Sequence, residues 1–516
     1  MREKQRSEGH GRRMRMKQPR TIRELRESGI IVRPVKDELR ANLIRKLERR
    51  ETLFPGIIGY QDTVVPALVN AILARHDILL LGLRGQAKSR IVRQLPSLLD
   101  ERIPFIKGCE INDNPFRPVC KRCTDLVREH GDDVEIDWLH REQRFGEKLA
   151  TPDVTIADLI GDIDPIKAAT QRLHYSHEGA IHYGIIPRTN RGIFAINELP
   201  DLQPRIQVGL FNIMEEKDIQ IRGFNVRIPL DLAIVFTANP EDYTNRGNLI
   251  TPLKDRIDSQ ILTHYPRTID EAIQITEQEA WVRRDGRDVR IPQYVREIIE
   301  QAAFEARKSE FIDQKSGVSA RFTISAMENL LSNAERRAIL HGEKTITPRI
   351  CDLAHALPGM TGKVELVFEG EQEGTVKVSK ALVGKAVRAV FSQYFPDPLQ
   401  RRPKHHQESR AHQDPEYGAI VSWFEAGNRI EIGDDMPFDR YLGELDKVPG
   451  LRELTKKHLK ISEQERYELA TAMEFVLDAL HQSSSLAKDE VDRMTAYKDL
   501  VGSIFSRKVG NIEEEY

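Results

Sequence analysis

The sequence predicts an α/β protein in which a parallel sheet with flanking helices carries a phosphate-binding loop, followed by largely helical chain. Three stretches predict it. The first is HDILLLGLRGQAKSR, residues 76–90. Its apolar run 78–81 closes on Gly82 and turns through a glycine-containing loop into Lys88-Ser89 and an amphipathic stretch that reaches about residue 99. Strand, glycine loop, Lys-Ser and helix is the layout of a P-loop. The second is RGIFAINE, residues 191–198, an apolar strand ending in two polar residues, with a helix expected over 203–216. The third is LAIVFTANP, residues 232–240, another apolar strand that ends at Asn239. Continuous apolar runs of this length suit strands buried on both faces of a parallel sheet.

Gly82, Leu83, Arg84, Gly85, Gln86, Ala87, Lys88 and Ser89 satisfy G-x-x-x-x-G-K-[ST] at every position but one, with Ala87 standing for the second glycine. Gly82 and Gly85 let the backbone fold back, so that several N–H groups converge on one anion. The helix that opens at Lys88, Ser89 and Arg90 turns its positive end to the same point. Lys88 is expected to reach the β- and γ-phosphates, and the Ser89 hydroxyl to bind Mg²⁺. The alternative is an ordinary glycine turn between strand and helix. Ahead of it, FPGIIGYQ (54–61) precedes a helix expected over 62–74. There Ile57 and Ile58 are candidates for holding an adenine ring, and equally for simple packing.

In a P-loop ATPase the strand beside the loop ends in two carboxylates. Here the pair is Asn197-Glu198. Glu198 is expected to polarise the attacking water. Asn197 can accept a hydrogen bond from a metal-bound water but brings no charge, so slow hydrolysis or weak Mg²⁺ binding is expected. Asn239 is placed to orient the water, or else to cap a turn before Pro240. Arg256, in LKDRID (253–258), is expected to project into a neighbouring subunit's nucleotide and neutralise charge on the phosphoryl group. A surface charge is the other reading. Arg321 opens a helix against the dipole preference, which either a phosphate partner or a surface ion pair would explain.

A chain of 516 residues calls for two to four domains. With 40% hydrophobic and 31% charged residues it is of globular composition, and no run of 18 apolar residues predicts a membrane span. No apolar segment near the N-terminus suggests a secretory signal. Four cysteines in this length point to a reducing, cytoplasmic compartment. The first 50 residues carry 17 Lys/Arg against 7 Asp/Glu, so the remainder carries −12 of the chain's net −2. This basic extension suits an acidic partner or nucleic acid. A solvated, partly helical extension is the favoured reading, and Leu39, Leu43 and Leu47 at helical spacing predict that part of it packs against the rest of the chain.

Cys120 and Cys123 have the spacing of half a zinc knuckle, with Cys109 and His130 the nearest further ligands. A structural zinc and a Pro/Asn-rich loop with three ordinary thiols both remain open. His174, His177 and His182 fit no strong ligand pattern and read as a polar loop. Helices are expected over 269–281, 295–308, 324–341, 380–395, 463–482 and 488–505. A hairpin is expected from 364–368 and 375–378, and a Pro-, His- and Arg-rich linker at 396–416. The expected domains are a basic extension 1–50, an α/β nucleotide-binding domain 51–266 with an insertion at about 108–185, a helical segment 267–360, a hairpin and helix 361–395, the linker, and a helical region 417–516.

The order of these motifs resembles that of an AAA+ ATPase, and within it the clade of the magnesium chelatase ATPase subunit and the MoxR-type ATPases. GLRGQAKS (82–89) resembles the MoxR-type loop, which also has Ala before Lys. GCEINDNP (108–115) is similar to the chelatase loop after the first helix. Residues 153–164 with GIIPRTNRG (184–192) look like that family's helix-2 insertion, and TANPED (237–242) with LKDRI (253–257) like its sensor and arginine-finger stretches. The resemblance spans roughly residues 50–360. It implies a three-layer αβα P-loop NTPase domain with a helical lid. It also implies a homo-oligomeric ring, commonly a hexamer, that hydrolyses ATP-Mg to remodel a protein partner, often one with an integrin-like metal-binding domain. Lys88, Ser89, Glu198 and Asn239 would then act within one subunit, and Arg256 and Arg321 from its neighbour. A nucleotide-gated switch with little turnover is the alternative, with Asn197 as its signature. A true metal chelatase subunit and a DNA motor are further readings. Nucleic acid is disfavoured because no basic groove interleaved with aromatics is present.

Overall fold

The computed structural model describes residues 18–170, 178–221, 227–240, 249–398, 416–491 and 493–500. The chain divides into two compact units, Met1–Gly82 with Ala87–Thr263, and Leu83–Gln86 with His264–Tyr516.

The first unit is built on five strands: β1 (Ile78–Leu81), β2 (Phe145–Leu149), β3 (Gly192–Asn197), β4 (Leu232–Ala238) and β5 (Ser259–Leu262). They lie in the order β5-β1-β4-β3-β2, every pair parallel. Every residue of β1, β3 and β4 is buried. Alternate side chains go to opposite faces. Ile78, Leu80, Ile193, Ala195, Ala233 and Val235 pack with helices α1 (Val35–Glu48), α2 (Val64–Leu73) and α3 (Lys88–Val92). Leu79, Leu81, Phe194, Ile196, Ile234 and Phe236 pack on the other side with Cys123 of α4 (Lys121–His130) and with Ile206 and Ile213. Two apolar faces covered by helices make three layers, so this unit is an αβα sandwich around a parallel sheet.

Several boundaries differ from the sequence reading. From residue 20 on, the stretch before residue 51 packs against the first unit, as the leucine spacing predicts for part of it. Thr21 caps the helix Ile22–Glu27, which docks through Arg23–Asp133 (2.8 Å) and Arg26–Asp132 (3.0 Å). In α1, Leu39 and Leu43 are core while Leu47 is exposed. Its Glu38 makes a buried, two-pronged pair with Arg144 at 2.6 and 2.8 Å. The region 108–185 is not one continuous insertion, because β2 lies inside it and forms an edge of the central sheet. The helix expected to reach residue 99 ends at Val92. Pro96 has no N–H to continue the ladder, and a 3-10 turn, Leu95–Leu98, follows. The helix expected over 203–216 is two short ones, Pro204–Gly209 and Phe211–Glu215.

The second unit is helical around one continuous core that runs from Tyr294 to Tyr497. It includes α5 (Gln293–Ala306), α6 (Arg321–His341), α7 (Leu353–Thr361), α8 (Thr375–Tyr394) and α9 (Arg466–Gln482). The expected hairpin around residue 370 is instead a short helix, Phe368–Glu373, a left-handed Gly374 at φ 85° and then α8. Val378, Leu382, Ala386, Val390 and Phe391 recur at helical spacing and bury one face of α8, so a helix takes the place of the strand expected at 375–378. The helix expected from 488 is also replaced. Residues Ala487–Val491 (β7) and Met494–Lys498 (β8) form an antiparallel pair, and β8 also pairs with β6 (Ile430–Gly433). In β8, Thr495 and Tyr497 alternate inward, a period of two that a helix would scramble. Residues 499–505 of that expected helix extend beyond these strands, 501–505 outside the described residues. Buried charges join the two halves of this unit. Glu474 accepts the N–H groups of Ile350 and Cys351, both at 3.0 Å, and the Tyr441 hydroxyl at 2.6 Å. Among the described residues no helix is long and apolar enough to cross a membrane.

Candidate functional site

Strand register assembles the site. Leu81 stands opposite Ala238, and the N–H of Gly82 donates to the Ala238 carbonyl at 3.1 Å. Asn239 therefore emerges beside the start of the glycine loop. Phe236 stands opposite Ile196, so Thr237 and Asn197 are the next pair, and Glu198 follows. All lie at the carboxyl ends of the strands, where the order reverses between β1 and β4, the usual ligand crevice of an open parallel sheet.

These residues form one connected network within the first unit. Lys88 Nζ donates to Asn239 Oδ1 at 2.7 Å and to the Gly82 carbonyl. Asn239 Nδ2 donates to Glu198 Oε2 at 2.9 Å. The Glu198 N–H donates to Thr237 Oγ1 at 3.1 Å, and the Thr237 hydroxyl donates to Asn197 Oδ1 at 3.3 Å. Asn197 Nδ2 then donates to Glu147 Oε1 at 2.6 Å, and Arg93 Nε donates to Glu147 Oε2 at 2.9 Å. Lys88 and Asn197 are buried. A lysine, an amide and a carboxylate thus stand in line across β1, β4 and β3.

The loop has the backbone a phosphate cradle needs. Gly85 is at φ 73°, and Ala87 is left-handed at φ 55°, ψ 13°. An L-residue rarely adopts that conformation, so Ala87 holds it at a cost of about 1–2 kcal/mol. The tip of the loop, Leu83–Gln86, falls in the second unit. There Arg84 pairs with Glu365 and with Ser316, and its carbonyl accepts the Tyr265 hydroxyl at 2.9 Å. A Cβ on Gly85 would lie 2.4 Å from Ser319 Cβ. Gln86 is buried, while Ser89 at the second position of α3 is exposed and Arg90 half-exposed.

The other sequence-named residues fall elsewhere. Ile57 is buried among the residues packed on the α1–α3 face, and Ile58 is half-exposed. Arg256, after the short helix Thr251–Asp255, is held by Glu215 at 2.6 Å and lies 4.7 Å from the centre of the Phe211 ring. Arg321 is the first residue of α6 and is exposed. His174 and His177 lie outside the described residues. His182 contacts Arg188 at 3.0 Å. Cys109, Cys120 and Cys123 do come together, with Asp113 as the fourth member in place of His130.

Sequence reasoning missed Glu147. It lies on β2, opposite Ala195 in register, and no strand was expected there. The available signal was a lone acidic residue between the apolar Phe145 and Leu149 at alternate positions. Also missed was the buried charge at the other end of the strands. Arg191 is lowered to about 10 by burial and by the nearby Arg144, and Asp231 is raised to about 6 by desolvation. The Arg191 guanidinium donates to the Pro104 carbonyl at 2.7 Å and the Asn112 carbonyl at 3.3 Å.

The order β5-β1-β4-β3-β2, with a glycine loop after β1 and polar residues ending β3 and β4, defines the αβα P-loop NTPase fold. No family model and no curated protein matches the chain. Solved structures similar to it include the complex of subunits BchI and BchD of magnesium chelatase, at 19% identity over 62% of this chain and 98% of that one, TM-score 0.33. Another is NtrX from Brucella abortus, at 13% identity over 56% of this chain and 54% of that one, TM-score 0.32. NtrX has also been solved with ADP and with ATP. The fold assignment rests on strand order and register rather than on these distant likenesses.

Proposed function

We propose that the chain is an ATPase of the magnesium chelatase subunit and MoxR-type clade. The observation that carries the proposal is the hydrogen-bonded line Lys88–Asn239–Glu198 at the carboxyl ends of three adjacent strands. Lys88 supplies fixed positive charge for the phosphates, and the N–H groups around Gly85 and Ala87 line the same loop. Glu198 polarises a water toward the γ-phosphorus and takes its proton as the bond to the ADP oxygen breaks. Asn239 holds lysine and carboxylate in fixed relation, so the chemistry is chiefly positioning. The donor set also fits Mg²⁺, with Ser89 as direct ligand and Asn197 and Glu147 through water, and the ion would screen phosphate charge. Ile58 and the backbone at 54–58 are the adenine contacts of this reading.

The wider reading is a homo-oligomeric ring, hexameric in this clade, in which Arg256 and Arg321 act on a neighbour's nucleotide. Glu215 would then release Arg256 on assembly. Its work would be to remodel a protein partner, with an integrin-like metal-binding domain as the family precedent, in the cytoplasm. The domain scheme accompanying it has residues 267–360 as the lid.

Asn197 favours a second reading, a nucleotide-gated switch with little turnover. Single-turnover hydrolysis separates the two. Lys88→Ala is expected to abolish ATP binding, and Glu198→Gln to keep binding while slowing hydrolysis about 100-fold or more. A wild type as slow as Glu198→Gln would favour the switch, and Lys88→Ala with unchanged ATP affinity would remove both readings.

A further inference from the structure

We propose that Cys109, Asp113, Cys120 and Cys123 hold one tetrahedral, thiolate-ligated divalent ion, zinc in the cell. The four side chains offer ligand atoms that all lie within 4.8 Å of one another, and all four are buried. A tetrahedral ion with metal–sulfur bonds of about 2.3 Å needs sulfurs about 3.8 Å apart, so only a small contraction is required. A multi-iron cluster would hold its cysteines apart by its own width, and this group is too tight for one.

Local structure supplies what such a site needs. Cys120 is the residue before α4 and Cys123 is in its first turn, so the x-x spacing brings both thiols to one side. Gly108 (φ 71°) and Asn112 (φ 55°) turn the preceding loop back, which carries Cys109 and Asp113 to the same point. Two sulfurs already receive backbone N–H groups, Cys109 Sγ from Asp113 at 3.3 Å and Cys120 Sγ from Cys123 at 3.4 Å. Such outer hydrogen bonds stabilise charge on sulfur and fix ligand direction. Asp113 Oδ2 accepts from the N–H groups of Val119 and Cys120 at 3.1 and 3.0 Å. Its other oxygen, Oδ1, is fully buried with no hydrogen-bond partner. A buried carboxylate oxygen without a hydrogen-bond partner is costly, and a cation removes that cost. The soft sulfur donors select zinc over magnesium or calcium.

Four protein ligands leave no open position, so the ion is structural. It closes the loop 108–123, which is tied to the approach to β3. Asn190 Nδ2 donates to the Ile111 carbonyl at 2.9 Å, and Asn112 Nδ2 to the Arg188 carbonyl at 2.7 Å. The ion would therefore brace the strand that ends in Asn197 and Glu198. This proposal does not depend on the ATPase reading.

The test is metal analysis of the full chain, purified without a metal-affinity tag under reducing conditions, followed by chelation and titration with Co²⁺ alone. About one zinc per chain is expected, and one equivalent of Co²⁺ should give intense sulfur-to-cobalt charge-transfer and tetrahedral d–d absorption. Cys120→Ser with Cys123→Ser should lose at least nine-tenths of the metal, and Asp113→Asn should keep the charge-transfer band with shifted d–d bands. A wild type without zinc that also fails to bind Co²⁺, or Co²⁺ binding without charge-transfer intensity, overturns the proposal. So does full zinc content in the double cysteine variant. The wild-type spectrum decides the matter even where the double variant fails to fold.

Discussion

Asn197 shows why a site residue cannot be judged from its own identity. Its amide donates to Glu147 and accepts from Thr237, so it sits between a carboxylate and a hydroxyl. Asn197→Asp would restore the usual pair in sequence but set two carboxylates 2.6 Å apart. We expect that variant to lose about 1–3 kcal/mol, and Glu147→Gln in the same chain to recover most of it. A double-mutant cycle of unfolding midpoints measures this, and simple additivity would refute it. Ala87→Gly makes the opposite prediction. It relieves the left-handed alanine while adding unfolded-state entropy, for a net gain of about 0.5–1 kcal/mol, read as a raised melting midpoint of the first unit. Glu300 sets a pH dependence in the second unit. Burial raises its carboxyl to about 7, against the Thr276 and Thr323 hydroxyls and Arg307, which lower it. In the unfolded chain it titrates near 4.3. The folded state therefore holds the proton more tightly. This contribution is complete below about pH 4.3 and is lost as pH rises to about 7. Glu300→Gln should flatten the fall in melting midpoint between pH 5 and pH 8, and an identical fall in both proteins would contradict it.

At the scale of elements, register does the assembling. The sequence shows β1, β3 and β4 as apolar runs, because strands buried on both faces need no alternation. It does not show β2, whose Glu147 and Lys148 break the run, nor the pairing that puts Asn239 beside Gly82. Helices longer than a few turns were legible, and their ends were not where proline or glycine cut them. The expected hairpin near 370 failed because β-branched residues in α8 fall at helical spacing on a buried face, and that burial decides the conformation. The expected C-terminal helix failed because Tyr497 and Thr495 find their core by alternating. The Arg-Gly at the start of β3 has its own explanation. A Cβ on Gly192 would lie 2.0 Å from the Arg144 carbonyl oxygen, which is backbone and cannot swing away. Gly192→Ala is expected to cost about 3 kcal/mol and to lower the first unit's melting midpoint, while Gly362→Ala, with nothing within 4 Å, should not.

For the whole molecule, two compact units, each with its own hydrophobic packing, predict two unfolding transitions. ATP-Mg at about 100 times its Kd should stabilise the folded protein by about 2.7 kcal/mol. The shift should appear in the transition of the α/β unit and vanish in Lys88→Ala. Calorimetry with and without nucleotide tests this, and equal shifts in wild type and Lys88→Ala would argue against the site.

The sequence alone determined the class of this protein. A glycine loop before Lys-Ser, and strands that end in chosen polar residues, are local patterns set by backbone freedom and burial over a few residues. Tertiary structure decided the rest, because it depends on which distant residues share a neighbourhood. Only pairing across the sheet gives Asn197 its Glu147 and Lys88 its Asn239. Only the fold of the 108–123 loop chooses Asp113 over His130 beside the three thiols. The outcome of such meetings is fixed by strand register and by the exclusion of unpaired buried charge, and neither is written at any single position.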